Sequence, residues 1–269
     1  MIDLIGNTPL IKLKYPSELT GCNIYGKAEF MNPGGSVKDR AALGIIQDAE
    51  EKKLIEPGGT VVEGTFGNTG IALTMINNAR GYKTIIVMPE AASLEKRDIL
   101  RNLGAELRIV EVKPYKDPGN YQHISRRLAE ELQAKGEGSV IWANQFDNTA
   151  NYEFHAKTTA REIYDQLDGK IDGFTCAIGT GGTLAGASVG LKELNPNIKI
   201  ACTDPQGATM YRYFKDAVLE VTGDPSETEG IGQVRVTKNV EACLIDMAYH
   251  ITDKDAFELL YKLIKTEGL

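Results

Sequence analysis

With 269 residues, 42% of them hydrophobic and 25% charged, the chain has the composition of a globular domain and the length for one large α/β domain or two smaller lobes. Its formal net charge of −7 argues against a binder of nucleic acid or of anionic membranes. No apolar run is long enough to span a bilayer. The opening MIDLIGNTPL has neither the apolar stretch of a signal peptide nor the Arg/Ser-rich character of a transit segment, so a cytoplasmic protein is expected. Cys22, Cys176, Cys202 and Cys243 lie far apart without a C-x-x-C pair and read as buried thiols of a reducing compartment. His123, His155 and His250 show no ligand spacing, so no metal site is expected.

In chain order, the first chemically pointed stretch is NPGGSVKDR, residues 32–40. Pro33, Gly34 and Gly35 form a helix-hostile loop. Ser36 is an N-cap candidate for a helix with apolar spacing at Val37, Ala41 and Ile45. Lys38 then lies in the first turn, where the macrodipole disfavours a cation by roughly 0.3–1 kcal/mol. Two readings stand: a lysine bent out into water, or an amine favoured in its neutral form, which attacks carbonyls. Farther on, strand and helix signals alternate. TVVEG (60–64) reads as a buried strand, TFGNTG as a loop and IALTMINNARG as a helix stopped by Gly81. KTIIVMP (83–89) is a strand, SLEKRDILRNLG (93–104) a capped helix and AELRIVEV (105–112) a strand. The loop KPYKDPGN leads into a helix over 121–136. GSVIWANQF (138–146) reads as a strand and NYEFHAKTTAREIYDQL (151–167) as one long helix. GFTCAIG (173–179) is a strand, TLAGASVGLKELNP (183–196) a helix and IKIACTDP (198–205) a strand. The closing ITDKDAFELLYKLIKTEGL reads as a helix with Phe257, Leu260 and Ile264 on one face and Gly268 as its C-cap. This alternation predicts an α/β fold of mostly parallel sheets covered by helices, with a lobe change near residues 142–147.

Ligands of such sheets bind beyond the C-terminal strand ends, and three loops there are unusual. GTGGT (179–183) joins a strand to a helix. Its glycines admit close backbone approach, the helix start adds positive potential, and Thr180 and Thr183 add hydroxyls, as a phosphate cradle requires. No G-x-x-x-x-G-K-[ST] pattern is present, and Leu184 stands where the dinucleotide fingerprint needs its third glycine. A nucleotide triphosphatase and a nicotinamide oxidoreductase are thereby disfavoured. EGTFGNTG (63–70) offers Thr65, Asn68 and Thr69 at a second helix start; a carboxylate site and a plain Asx turn are both open there. In ANQFDNTAN (143–151), Gln145 at a strand end is a further carboxylate-binding candidate. A helix-start lysine, a phosphate cradle and a carboxylate-sized loop leave room for pyridoxal phosphate.

IGNTPL (5–10), NPGGSVKDR (32–40), GNTG (67–70), MPE (88–90), NQFDN (144–148), GTGGT (179–183) and EGIG (229–232) occur in the order and spacing of the cysteine synthase family. On these motifs the chain closely resembles that family, among the fold-type II pyridoxal-phosphate enzymes, over essentially all of its length. The resemblance implies two lobes: a smaller, mobile one over 38–142 with the substrate-carboxylate loop, and a larger cofactor-phosphate lobe from 1–37 and 143–269. It implies pyridoxal 5′-phosphate bound to Lys38, a hydrogen bond from Asn68 to the cofactor ring, and phosphate contacts from Gly179, Thr180, Gly181, Gly182 and Thr183. Thr65, Gly67, Thr69 and Gln145 are expected to hold the substrate carboxylate, and Gly230 to line the mouth of the site. The implied reaction is a β-replacement, in which sulfide displaces acetate from O-acetylserine to give cysteine and Lys38 serves as general base. A homodimer, and association with serine acetyltransferase, are implied as well.

Two departures from the family pattern bear on activity. Phe66 stands where the family has a small residue; its ring either obstructs the carboxylate loop or turns into the lobe core. The chain also stops at Leu269, before the family's Gly-Ser-Ser-Gly-type segment, so its C-terminus is shorter than the family's. A polypeptide ending there is expected to bind the cofactor weakly and to show little synthase activity. The alternatives are therefore a catalytically impaired or non-catalytic relative, and a related β-replacing enzyme of the cystathionine synthase type.

Overall fold

The computed structural model describes residues 1–136 and 138–269. The chain forms two units, Met1–Gly6 with Asn32–Phe154 and Asn7–Met31 with His155–Leu269. The earliest elements, β1 (Leu10–Lys12), α1 (Lys14–Thr20) and β2 (Tyr25–Lys27), belong to the second unit, where β1 and β2 pair antiparallel.

The first unit runs α2 (Lys38–Glu51), β3 (Thr60–Gly64), α3 (Asn68–Arg80), β4 (Lys83–Pro89), α4 (Leu94–Asn102), β5 (Glu106–Val110), α5 (Tyr121–Lys135) and β6 (Val140–Trp142). The strands form a four-stranded parallel sheet in the order β5-β4-β3-β6. The apolar runs in β3 and β4 are buried on both faces, as parallel strands between helices must be. Val61 joins a cluster with Leu73 and Ile76 of α3 and Ile45 and Ile46 of α2, whereas Val62 packs with Leu128 and Ala129 of α5. Boundaries follow local chemistry. Ser93 and Asn120 cap α4 and α5 through their side chains. Gly81 and Gly136 close α3 and α5 in the left-handed conformation.

α6 (Ala150–Lys157) carries the chain into the second unit, which continues with α7 (Thr159–Gln166), β7 (Gly173–Ala177), α8 (Gly182–Leu194), β8 (Lys199–Pro205), α9 (Met210–Asp216), α10 (Lys238–Glu241), β9 (Met247–Ile251) and α11 (Asp253–Glu267). β7, β8 and β9 form a three-stranded parallel sheet in that order. Its core gathers Ile163, Leu184, Leu191, Ile200, Cys202 and Met210.

Three expectations are corrected. The long helix over 151–167 is two helices broken at Thr158: the buried His155 ring bonds Thr159 Oγ1 at 2.8 Å, and two adjacent β-branched threonines weaken the helix at that point. The strand over 138–146 shrinks to Val140–Trp142, because Asn144 turns left-handed (φ 51°) and its carbonyl accepts from the N–H groups of Asp147 and Asn148. All four cysteines are free thiols, but only Cys202 is fully buried; Cys176 and Cys243 are half-buried and Cys22 is exposed.

Candidate active site

In the first unit, the residues expected to act are spread over three segments. Lys38 is the first residue of α2 and is half-buried. Ahead of it, the Gly34 N–H donates to the Asp39 carboxylate at 2.5 Å, and a Cβ at Gly34 would collide with that same carboxylate. Glycine at 34 is thus demanded by close approach, and the loop is tied to the first turn that carries Lys38.

The second segment is the β3–α3 loop. Gly67 is the N-cap residue of α3 at φ 147°, a conformation that glycine tolerates, and the helix start has no side-chain cap. The Gly67 N–H donates to Thr65 Oγ1 at 3.0 Å, which tightens the loop. Asn68 opens the helix, and Thr69 lies buried behind it. The third segment is the turn after β6. Thr69 Oγ1 donates to Gln145 Oε1 at 2.5 Å, and Gln145 Nε2 donates to the Gly64 carbonyl at 3.3 Å. Asn151 Nδ2 donates to the Gln145 carbonyl at 2.8 Å. At the C-terminal end of β3 the structure thus pairs Thr65 with Gly67 and, separately, Thr69 with Gln145.

Phe66 sits within this loop, half-buried. Its ring meets Tyr121 edge-on, with centroids 5.5 Å apart, and packs against the Ile71, Ile86, Met88, Ala92 and Leu100 cluster. The ring is held by apolar neighbours.

Sequence reasoning passed over Glu63, which is 1% exposed. Burial pushes its carboxyl up to about 8, against the opposing pull of hydrogen bonds from the Gln145 side chain and from the backbone of Gln145 and Asn144. A glutamate inside the apolar run TVVEG was the visible signal.

In the second unit, GTGGT forms the start of α8. Gly181 is the N-cap residue at φ 92°, again without a side-chain cap, and no acidic residue occupies the first turn. A Cβ at Gly181 would stand 2.9 Å from the Val240 backbone nitrogen, and one at Gly179 would stand 2.7 Å from the Gly230 carbonyl oxygen. Gly230 thus lies against the loop. The loop is braced from behind. Gln233 Nε2 donates to the Gly179 carbonyl at 3.0 Å, and Thr237 Oγ1 donates to the Thr180 carbonyl at 2.7 Å. Gly182 N–H donates to Thr180 Oγ1 at 3.2 Å, and Thr183 Oγ1 approaches His155 Nε2 at 3.4 Å. His155, Gln233 and Thr237 had no local signature in the sequence. A glycine-walled helix start without acidic side chains fits a phosphate monoester. The residues present therefore fit the phosphate end of pyridoxal phosphate, and Lys38 has the amine its aldehyde requires.

Burial pushes the Cys243 thiol up to about 12 and raises that of Cys202 as well, which disfavours the thiolate at both. Among the described residues, no cluster of three or more His, Cys, Asp or Glu side chains is arranged to hold a metal ion. None of the helices so described is long and apolar enough to cross a membrane.

Comparison with known proteins agrees with this geometry. A sequence profile for the family described as pyridoxal-phosphate dependent enzyme matches residues 1–269. The chain is 50% identical to Cysteine synthase 1 of Neurospora crassa over 98% of its own length and 70% of that protein. It is 48% identical to Cysteine synthase 1 of Emericella nidulans, across 100% of this chain and 72% of that one. Among solved structures, that of O-ureido-L-serine synthase superposes with a TM-score of 0.87 at 34% identity, covering 100% of this chain and 80% of the other.

Proposed function

Since the chain belongs to the pyridoxal-phosphate dependent enzyme family, we propose that it is a cysteine synthase, which replaces the acetyl group of O-acetylserine with sulfide. The observation that supports this reading is 48–50% identity, over 98–100% of this chain, to relatives named cysteine synthase, of whose length it covers 70–72%.

When bound, pyridoxal phosphate supplies the electron sink that makes the substrate Cα proton acidic. The rest is done by the chain's own residues. Lys38 Nζ would hold the cofactor covalently and would serve as the base that takes and returns the substrate Cα proton. Gly179, Thr180, Gly181, Gly182 and Thr183 would hold the phosphate through backbone N–H groups, the positive end of α8 and two hydroxyls. Asn68 orients the ring. Thr65, Gly67, Thr69 and Gln145 take the substrate carboxylate at the start of α3, and Gly230 borders the entrance. In this reading the segment around residues 38–142 is the mobile, substrate-taking lobe, whereas 1–37 and 143–269 hold the phosphate. Closing on the carboxylate excludes water from the reacting atoms.

Supporting features set the wider context. Four free thiols suit the cytoplasm. Exposed Phe30 and Met31 offer apolar surface for a homodimer, and serine acetyltransferase is the proposed heterologous partner.

The test is direct. The purified protein, supplied with excess pyridoxal phosphate, O-acetylserine and sulfide, should form cysteine above an enzyme-free control, even if slowly, and borohydride should fix the cofactor to the peptide containing Lys38. Absence of cysteine with the cofactor fixed elsewhere overturns the reading.

A further inference from the structure

The proposed reaction gives no task to His155, an imidazole in the last turn of α6 that is 1% exposed. Its two ring nitrogens face two hydroxyls. Nδ1 lies 2.8 Å from Oγ1 of Thr159, the first residue of α7. Nε2 lies 3.4 Å from Oγ1 of Thr183, which is half-buried in the first turn of α8. Close helix packing keeps these three side chains in line. α8 rests on the junction of α6 and α7 at Gly190, where a Cβ would stand 2.5 Å from the Ala156 carbonyl oxygen and 2.6 Å from Ala160 Cβ. Glycine at 190 thus sets how near the helix that carries Thr183 comes to the one that carries His155.

A hydroxyl has one proton to donate, and a neutral imidazole has one N–H and one acceptor nitrogen. The line therefore admits two arrangements. With the ring proton on Nδ1, Nε2 accepts, and the single proton of the Thr183 hydroxyl points at the ring. Oγ1 then turns only lone pairs toward the start of α8, which repel a phosphate oxygen. With the ring proton on Nε2, Thr183 Oγ1 accepts from the ring and keeps its own proton for the phosphate, while Thr159 donates to Nδ1. An imidazolium, which donates at both nitrogens, leaves Thr183 in this second state.

We propose that His155 is a positioning residue of the phosphate subsite: by donating Nε2–H to Thr183 Oγ1, it aims the Thr183 hydroxyl proton at the phosphate of pyridoxal phosphate. The proposal rests on the assignment of Thr183 to that phosphate. By linkage, a bound phosphate favours the ring with its proton on Nε2, and that ring favours the phosphate. The other braces of the loop act differently. Gln233 and Thr237 donate to the carbonyls of Gly179 and Thr180 and hold the main chain, whereas His155 meets a side-chain hydroxyl.

The experiment titrates the full chain, freed of cofactor, with pyridoxal phosphate and with pyridoxal, which lacks the phosphate. The proteins are the wild type, His155→Asn, His155→Gln, Thr183→Val and the double variant His155→Asn/Thr183→Val. An asparagine amide takes the place of Nδ1, and a glutamine amide that of Nε2. His155→Asn should raise the Kd for pyridoxal phosphate about tenfold, as loss of one hydrogen bond serving a charged group does, and leave that for pyridoxal unchanged. His155→Gln, which keeps a donor toward Thr183, should bind both ligands as the wild type does. The double variant should lose no more than Thr183→Val alone. Nitrogen NMR of the wild type with pyridoxal phosphate bound should find the His155 proton on Nε2. Equal losses for both ligands in His155→Asn, no loss for either, or losses that add in the double variant, overturn the role of His155 alone. Wild-type affinity for pyridoxal phosphate in Thr183→Val overturns the assignment of Thr183 to the phosphate. Should the His155 variants fail to fold, the wild type decides: a proton on Nε2 upholds the proposal, and one on Nδ1 alone overturns it.

Discussion

Helices α3 and α8 begin alike and are surrounded differently. Each starts at a glycine of positive φ, Gly67 at 147° and Gly181 at 92°, and neither start has a side-chain cap. Gly179 faces the Gly230 carbonyl, and Gly181 faces Val240, first its Cγ2 at 2.6 Å and then its backbone nitrogen at 2.9 Å. Beside Gly67 the nearest wall is the aliphatic stem of Lys96. A backbone wall cannot swing aside, so the α8 start is a fixed shape, suited to a compact dianion. The α3 start is edged instead by the buried, hydrogen-bonded side chains of Thr65, Thr69 and Gln145. Two helix ends with the same dipole thus differ in kind. In the proposed reading, the first would recognise its ligand by shape and the second by side-chain hydrogen bonds.

The largest expected effect tests the role proposed for Lys38. Lys38→Ala should abolish borohydride-fixed cofactor and lower turnover by roughly 10²–10⁴-fold or more, as loss of a proton-transferring group does. Its melting temperature should move little, since Lys38 is half-buried at a helix start. Retention of the fixed cofactor would remove Lys38 from the scheme. Next in size is the paired test of the two glycines. Gly181→Ala forces a Cβ against the Val240 backbone in a left-handed conformation, at about 1–3 kcal/mol of strain. It should weaken cofactor binding more than it raises the KM for O-acetylserine. Gly67→Ala should show the opposite split. The same split in both variants breaks the comparison.

A smaller effect sharpens the network side. Thr69→Ala leaves Gln145 Oε1 without its 2.5 Å donor. That costs about 1–3 kcal/mol, so KM should rise roughly 5- to 150-fold. Cofactor content should stay at the wild-type level, because the α8 cradle is untouched. An unchanged KM would show that Gln145 holds its orientation through Gly64 and Asn151 alone.

Legibility followed the range of the interaction. The alternation of strands and helices, the parallel sheets and the Gly81, Gly136 and Gly268 stops were readable, because period and capping are written within a few residues. The GTGGT and GNTG loops were readable for the same reason. The brace behind the phosphate loop was not. Thr237 reaches Thr180 across 57 positions, and Gln233 reaches Gly179 across 54. The break at Thr158 depends on a buried histidine contacting the residue after it, which helical periodicity averages away. Glu63 lay between the two cases. Its oddness in an apolar strand was local, but its partners Asn144 and Gln145 are some eighty positions away.

A third helix start, that of α2, gives the smallest effect. The sequence pattern names Ser36 as its N-cap, yet the helix begins at Lys38, with Val37 in the N-cap position and no side-chain cap. Ser36 Oγ accepts the Lys38 N–H, at 3.2 Å. The Asp39 carboxylate instead reaches back to the Gly34 N–H and sets a negative charge in the first turn, where the dipole favours it. Ser36→Ala should therefore cost about 0.5 kcal/mol, the low end for N-cap removal, and move the melting temperature by no more than about 2 °C. Cofactor attachment to Lys38 should be unaffected. A loss nearer to about 2 kcal/mol would make Ser36 a true cap. The start of α2 would then be held by a local side chain, whereas those of α3 and α8 are shaped by residues distant in sequence, and Asp39 would need another reason for its burial.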